Sequence, residues 1–206
     1  MKKEPLEKIN ENEKKNDIKI EAMRKELRFT RYQLDSHQQW SRRENLQIFG
    51  IDKTDDKEDC VQIARNIFED MGVPVEKEEI SVAHRLNSGR DSGRAGAIIV
   101  RFVSRTPRLK VIRKKKDLTT KPVCQRKYPD AFITDDTTPL RSAILYRLRQ
   151  AKPEIQSSWS IDGRIYVKKQ GESNEVKPHV INTPDDLVQK LNWSQQTVEE
   201  LMEFKM

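Results

Sequence analysis

The first 43 residues constrain the fold more than any other stretch, because they contain no glycine and a single proline, Pro5. With Leu6 at a heptad a position, six of the ten successive a and d positions are apolar. These six residues are Leu6, Ile9, Ile20, Met23, Leu27 and Leu34. An apolar stripe this narrow, surrounded by charged side chains, predicts a coiled-coil helix over residues 1–43 that associates with further copies of the chain.

Polar residues interrupt this stripe at Glu13 and Asn16, which would face the core of the oligomer. Such layers lower stability, but they can fix the register and the number of strands. The alternative interpretation is a single solvated helix, which a sequence this polar would hardly keep formed without a partner.

Beyond Arg43 the pattern changes to an alternation of strands and helices. Strands are predicted at residues 46–51, 80–86, 97–103 and 131–134, and helices at residues 60–71 and 106–116. The second helix is expected to have Thr106 as its cap and Pro107 at its first position. The order βαββαβ over residues 44–135 predicts a ferredoxin-like domain of the RNA-recognition-motif type.

A small mixed α/β domain is predicted for residues 136–206. A helix capped by Thr138 runs to Gln150, and a hairpin turns at Asp162-Gly163. Two short helices complete the C-terminal part, so that the whole chain belongs to the α+β class.

Positive charge is concentrated in one stretch of the chain. Of the 40 Lys and Arg and 33 Asp and Glu residues, 14 basic and only 2 acidic ones fall between Arg85 and Lys127. The remainder holds 26 basic and 31 acidic residues and is therefore acidic. This asymmetry is typical of a protein that holds an anion at one place, and with the strand pattern it favours nucleic acid. A solvated helix face with a basic loop is the alternative.

The candidate RNA-binding residues are basic side chains of this stretch. They are Arg85, Arg90, Arg94, Arg101, Arg105, Lys110, Arg113, Lys114, Lys115 and Lys116. Arg101 interrupts an apolar strand and is expected on the open face of the sheet, away from Val100 and Phe102. The run from Arg113 to Lys116 contains more positive charges than are needed to complement the dipole at a helix C-terminus. We therefore expect phosphate contacts there. The same run is also typical of a nuclear-import signal.

Aromatic residues are missing from the positions where a recognition motif stacks bases. Ala97 and Ile99 take those places in the third strand, and Gln47 does so in the first. This argues against base stacking on the sheet and leaves binding by charge in a cleft. Tyr146 and Trp159 could stack on bases, although their spacing is more typical of core residues.

The sequence contains no catalytic or metal-binding constellation. Cys60 and Cys124 lie far apart without a CxxC motif, and the chain has neither a nucleophile elbow nor a phosphate-cradling glycine loop. Asp135 and Asp136 precede the helix capped by Thr138, where acidic residues are electrostatically favoured. We therefore expect no enzyme activity, no metal and no cofactor. The apolar runs are too short to span a membrane, so we expect no membrane association.

Five short motifs follow the coiled-coil segment in a characteristic order. They are Arg42-Arg43-Glu44-Asn45-Leu46-Gln47-Ile48-Phe49-Gly50-Ile51, Ala83-His84-Arg85-Leu86, Ile98-Ile99-Val100-Arg101-Phe102, Asp136-Thr137-Thr138-Pro139-Leu140-Arg141 and Trp159-Ser160-Ile161-Asp162-Gly163-Arg164-Ile165-Tyr166-Val167. In this order they resemble the first-open-reading-frame protein of LINE-type, non-long-terminal-repeat retrotransposons. The resemblance extends over almost the whole chain.

The resemblance implies a protein that is not an enzyme, forms coiled-coil trimers and binds single-stranded RNA with little sequence preference. It implies that the protein packages its own element's transcript into a ribonucleoprotein and acts as a nucleic-acid chaperone, with single-stranded DNA as a second ligand. Arg85, Arg101 and Arg141 match family arginines that contact RNA. The implied location is a cytoplasmic ribonucleoprotein, with the nucleus as a second compartment.

Two other functions stay open from the sequence. A coiled-coil scaffold whose recognition-motif-like domain binds protein would account for the missing aromatics, but not for the basic stretch. Duplex-DNA binding would need a recognition helix, and the sequence contains none of the usual kind.

Overall fold

The computed structural model describes residues 3–55, 57–87, 95–173 and 175–203. It has a mixed α+β fold with a long N-terminal helix and two antiparallel sheets, which confirms the predicted fold class at this level. Two predicted RNA contacts, Arg90 and Arg94, lie outside the described residues, as do the side chains of Leu6 and Ile9.

The N-terminal two thirds of the chain comprise the long helix and a four-stranded sheet with its helices. The elements are α1 (Lys3–Ser41), β1 (Asn45–Phe49), α2 (Cys60–Asp70), a 3₁₀ turn (Lys77–Glu79), β2 (Ile80–Arg85), β3 (Ile98–Phe102), α3 (Arg105–Arg113), α4 (Asp117–Thr120), α5 (Pro122–Lys127) and β4 (Phe132–Asp135). The remaining elements are α6 (Pro139–Gln150), β5 (Ile155–Ile161), β6 (Arg164–Lys169), β7 (His179–Ile181), α7 (Asp185–Leu191) and α8 (Gln195–Glu203).

The first sheet has the strand order β2-β3-β1-β4, and all of its neighbours are antiparallel. Alternate residues of its strands, such as Leu46, Ile48 and Val100, face one side and are fully buried. Helices α2 to α5 cover that side, where Phe68 of α2 and Val111 of α3 join the same core. Among the described residues of this unit, no helix packs on the opposite side of the sheet.

The second sheet, β5-β6-β7, packs against α6, α7 and α8 around a separate core. Its β5–β6 hairpin turns at Asp162 and Gly163, which both have positive φ angles, 52° and 76°. An Asp-Gly pair tolerates this conformation, and the hairpin predicted from the sequence forms there.

Several local predictions hold, while others need correction. Thr138 caps α6 as expected, because its hydroxyl accepts a hydrogen bond from the backbone N–H of Arg141. The helix predicted at residues 106–116 instead has Ser104 as its N-cap and ends at Arg113. Pro107 is tolerated inside the first turn because the first N–H groups of a helix have no intrahelical acceptor. Helices α4 and α5 and strand β7 were not predicted from the sequence.

Within the described part of the chain, none of the helices combines the length and the apolar character that crossing a bilayer requires.

Candidate nucleic-acid interface

The turn that follows α1 is joined to the first sheet by the buried carboxylate of Asp136. This carboxylate accepts hydrogen bonds from Arg42 Nη1 at 2.9 Å, Asn45 Nδ2 at 2.9 Å and Gln47 Nε2 at 2.7 Å. The sequence predicts that Asp136 favours the helix start. In the structure its carboxylate also joins Arg42, in the turn after α1, to β1, since three donors can satisfy a buried carboxylate.

Asp35 and Gln39, one turn apart on α1, join the helix to the start of α6. The Asp35 carboxylate accepts from the Thr138 hydroxyl and, at 2.8 Å, from Arg141 Nε. The Gln39 amide donates to the carbonyl of Asp136 at 2.9 Å and accepts from the Thr138 N–H at 3.0 Å. Both polar side chains of α1 are buried, so this end of the helix has a fixed position.

A third connection joins α3 to the C-terminal hairpin through Arg108, whose side chain is only 1% exposed. Its guanidinium donates to Asp135 and, at 2.6 Å, to Asp162 Oδ1 in the hairpin turn. Arg105, one turn earlier, donates to Asp162 Oδ2 at 2.7 Å. From the sequence, Arg108 counts only as positive charge and Asp135 as an acidic residue near a helix start. The structure shows an internal ion pair between the two.

The side of α1 that makes these connections is nearly opposite to the apolar stripe. Asp35 occupies a b position and Gln39 an f position of the heptad that begins at Leu6. At 100° per residue these positions centre about 150° from the a and d positions. The described a and d residues Ile20, Met23, Leu27 and Leu34 are between 43% and 59% exposed. Intramolecular docking of the helix therefore leaves the stripe accessible to another molecule.

Between the end of α1 and the β5–β6 hairpin lies a cleft of about 540 Å³. We call it the arginine–aromatic cleft. Its lining includes four arginines and three aromatic residues, namely Arg43, Arg105, Arg141, Arg164, Tyr32, Trp40 and Tyr166. Among the described residues that line it, Asp162 is the single acidic one. The cleft therefore combines positive charge with flat apolar faces.

The aromatic rings of this cleft are held by further contacts. Trp40 is 65% exposed, and the guanidinium of Arg43 lies 3.9 Å from its ring centroid, in a cation–π geometry. Tyr166 stacks on Trp159 with 5.9 Å between the ring centroids. A flat ring accepts any base by stacking, and a neighbouring guanidinium suits a phosphate. Tyr146, in contrast, lies on α6 outside the cleft and is largely exposed rather than part of the core.

Arg85, predicted as an RNA contact, is instead held inside the protein. Its guanidinium pairs with Glu58 and donates to the carbonyls of Ile51 at 2.9 Å and Gly96 at 2.7 Å. The side chain is only 10% exposed, and hydrogen bonding to Arg85 lowers the pKa of Glu58. Because its donors are engaged internally, we withdraw Arg85 from the set of RNA contacts.

The remaining predicted arginines lie in different surroundings. Arg101 lies on the open face of the sheet as expected, 56% exposed, with its nearest carboxylate, Glu44, at 4.0 Å. Arg105 and Arg141 reach the cleft, but each is already bonded to an acidic side chain. These two arginines therefore form part of the wall of the cleft. Because each is paired with a carboxylate, only some of its N–H donors remain available to a ligand.

The basic run at the end of α3 forms a separate exposed patch. Lys110, Arg113, Lys114 and Lys116 are exposed and Lys115 is half-buried. None of the five lines the arginine–aromatic cleft. Exposed lysines such as these contribute charge without fixed geometry, which suits contacts with phosphate rather than with bases.

Within the described ranges, no three His, Cys, Asp or Glu side chains lie close enough together to hold a metal ion. No protein-family model matches the chain, and no curated protein matches it significantly in sequence.

Proposed function

We propose that the chain is a sequence-tolerant single-stranded RNA-binding protein and nucleic-acid chaperone of a LINE-type retrotransposon ribonucleoprotein. The observation that carries this proposal is the arginine–aromatic cleft. Exposed Trp40 with Arg43 stacked above it, next to Arg164 and Tyr166, provides the two elements of single-strand binding. These are stacking surfaces for unpaired bases and cations for the phosphates.

Single strands fit these features better than duplexes do. In a duplex the faces of the bases are hidden in the stack, so that the rings of Trp40 and Tyr166 would have nothing to contact. Stacking is also tolerant of sequence, because every base has a π-face. Single-stranded DNA would therefore be a second ligand, since its bases stack in the same way.

We further propose that the unit formed by residues 44–135 is a ferredoxin-like, recognition-motif domain. Its strand order β2-β3-β1-β4, with the helices packed on a single side, supports this proposal.

We propose that the stripe of α1 assembles the chain into a homo-oligomer, a trimer by resemblance. Exposed Ile20, Met23, Leu27 and Leu34 support this, because an unpartnered apolar stripe in heptad spacing is stabilised by association. Linking several clefts of modest affinity would then give avid binding to a long RNA. Packaging of an RNA into a ribonucleoprotein requires such multivalency.

The proposal is tested by fluorescence anisotropy with a labelled single-stranded RNA of about 30 nucleotides at several salt concentrations. We expect submicromolar binding that weakens steeply with salt and is not competed by duplex DNA. Absence of binding at low salt would refute RNA binding and would favour the coiled-coil scaffold that binds protein.

A matched pair of variants tests the cleft itself. Arg164→Ala removes an exposed arginine from the cleft, and Arg149→Ala removes an exposed arginine from α6 outside it. We expect Arg164→Ala to weaken binding by about three- to tenfold and Arg149→Ala to change it much less. Equal losses in the two variants would mean that only net charge matters.

A further inference from the structure

A compact group of cations lies at the C-terminal end of α3, outside the arginine–aromatic cleft. Between Lys110 and Lys121 the chain has six basic residues and a single acidic one, Asp117. We call Lys110 together with residues 113–116 the α3 patch. The function proposed above is carried by the cleft, and it assigns no ligand to this patch.

Most cations of the α3 patch have no acidic partner. Asp117 Oδ2 lies 4.0 Å from Lys114 Nζ and 3.6 Å from Lys121 Nζ. Within the described part of the chain, no other carboxylate forms an ion pair with a side chain of the patch. In the cleft, by contrast, Arg105 and Arg141 are each bonded to an aspartate. The patch therefore presents cations that no internal carboxylate neutralises.

The backbone at the end of α3 is satisfied without these side chains. The N–H of Lys114 donates to the carbonyl of Val111 at 3.0 Å. The N–H of Lys115 donates to the carbonyl of Ile112 at 3.4 Å. Because carbonyls of the last turn have backbone donors, the charged side chains are not required as caps and can contact a ligand.

The patch and the cleft lie at opposite ends of α3. Arg105, the first residue of the helix, lines the cleft, and Arg113 is the last residue. Eight residues at a rise of 1.5 Å place the two ends about 12 Å apart. Lys110 and Arg113 are exposed, whereas Val111 is fully buried in the core beneath the helix. A ligand of the patch therefore approaches the outer side of the helix layer.

The composition of the patch favours a sugar–phosphate backbone as its ligand. None of the exposed side chains among residues 110–121 is apolar. A protein partner usually requires apolar or aromatic anchors that become buried, whereas a row of phosphates requires only cations. Phosphates are shared by single strands and duplexes, so the patch accepts both. The cleft, which contacts base faces, accepts single strands alone.

We propose that the α3 patch is a second nucleic-acid site, which binds the phosphates of another strand or of a duplex while a single strand occupies the arginine–aromatic cleft. The inference rests on the proposed function, because the first strand lies in the cleft. One protomer then holds two strands near each other. A duplex formed from them hides its base faces, so it leaves the cleft but stays bound at the patch.

The test uses two full-length variants with the same change in net charge. The patch variant replaces three exposed cations of the patch, with the substitutions Lys110→Gln, Arg113→Gln and Lys116→Gln. The control variant replaces three exposed cations at b, c and f positions of α1, with the substitutions Lys14→Gln, Lys15→Gln and Lys25→Gln. Thermal unfolding confirms that both variants are folded.

The first measurement is the binding of a labelled DNA duplex of about 20 base pairs, followed by anisotropy. The duplex is added to free protein and to protein that already holds one equivalent of single-stranded RNA per protomer. We expect the wild type to bind the duplex in both states within a factor of about three, because the two ligands contact different residues.

The patch variant should bind the duplex at least about tenfold more weakly, and its salt slope should fall by about 2 to 3, since three counterion-releasing cations are lost. The control variant should bind the duplex nearly as the wild type does. Single-stranded RNA should bind the two variants with similar affinity, because neither substitution set touches the cleft.

The second measurement is the annealing of two complementary single strands, followed by fluorescence energy transfer. The wild type should accelerate annealing, because it holds both strands. The patch variant should lose most of this acceleration although it still binds single-stranded RNA, and the control variant should keep it.

The outcomes separate the two proposals. If bound RNA prevents duplex binding, a single strand covers both places, and the second site is refuted while the cleft stands. If the patch and control variants lose the same factor on the duplex, only net charge matters and the second site is refuted. If the wild type binds no single-stranded RNA, the proposed function itself fails.

Discussion

The carboxylate of Asp162 lies 2.7 Å from Nη2 of Arg105, so an acidic side chain is hydrogen-bonded to one of the arginines of the cleft. A phosphate that enters the cleft would compete with this carboxylate for the guanidinium, because both are oxyanions of similar bonding geometry. In the proposed function, Asp162 would therefore lower the affinity of the cleft for phosphate.

We predict that Asp162→Asn binds single-stranded RNA about three- to tenfold more tightly at low salt, because Arg105 becomes available and a repelling charge is removed. Anisotropy titrations measure the change. Asp185→Asn, which removes an exposed acid at the start of α7, is the control for net charge. Unchanged or weaker binding by Asp162→Asn would contradict the competition.

Arg108→Leu should lower the free energy of unfolding by about 3–5 kcal/mol, because it leaves the buried carboxylate of Asp135 without its cationic partner. Chemical denaturation measures this loss. Arg105→Ala removes a partly exposed partner of Asp162 and should cost less than half as much. A loss for Arg108→Leu no larger than that for Arg105→Ala would show that the buried pair contributes little.

Gly163→Ala should destabilise the protein more than Gly171→Ala does. Both glycines have positive φ angles, 76° and 84°, so each substitution strains the backbone by about 1 kcal/mol. A Cβ at Gly163 would also lie 2.5 Å from the side chain of Gln39, whereas one at Gly171 meets nothing within 4 Å. Chemical denaturation measures the loss of unfolding free energy in each variant, and the difference between the two losses is the cost of the contact with Gln39 of α1. Equal losses would mean that the Gln39 side chain moves aside.

Met23→Asp should shift the proposed oligomer towards the monomer, because it introduces a charge at a d position of the stripe. Ile18→Asp is the matched control, since Ile18 is 71% exposed but lies at an f position. Sedimentation velocity distinguishes the two variants from the wild type. A wild-type chain that is monomeric at all concentrations would refute association through the stripe.

Tyr128 should titrate at higher pH than a free phenol does. Burial, with a 3.0 Å hydrogen bond to Asp70, raises the pKa of Tyr128 to about 12. Since a free phenol has a pKa of about 10, the folded state holds this proton more tightly than the unfolded state. Its stabilising contribution is complete below about pH 10 and is lost as the pH rises through 12.

Spectrophotometric titration of the phenolate absorbance measures this behaviour. The wild type should show a late component that Tyr128→Phe lacks. Over the same range, the stability difference between the two proteins should shrink with rising pH. A late component that persists in Tyr128→Phe would assign it to another tyrosine.

Local patterns predicted those parts of the molecule that neighbouring residues determine. The cap at Thr138, the turn at Asp162-Gly163 and the outward position of Arg101 all follow from residues within a few positions of one another. The short helices α4 and α5 and the three-residue strand β7 were missed, because elements of this length have too few residues to show a period.

The internal ion pairs could not be predicted, because their partners are distant in the sequence. Arg85 and Glu58 are 27 residues apart, and Arg108 and Asp162 are 54 residues apart. A count of charge treats such arginines like exposed ones, although burial commits their donors to the fold. For the same reason the sequence does not predict the stacking of Phe49 on Phe132, because the pairing of β1 with β4 brings the two rings together.

The opposite placement of the stripe and the docking face on α1 determines the geometry of any assembly. A bundle built on Ile20, Met23 and Leu27 would have these residues along its central axis. The side of each helix that carries Asp35 and Gln39 would then point away from that axis, and with it the attached domains. The clefts would be displayed radially around the bundle, so that a flexible strand could wind from one protomer to the next without passing through the centre.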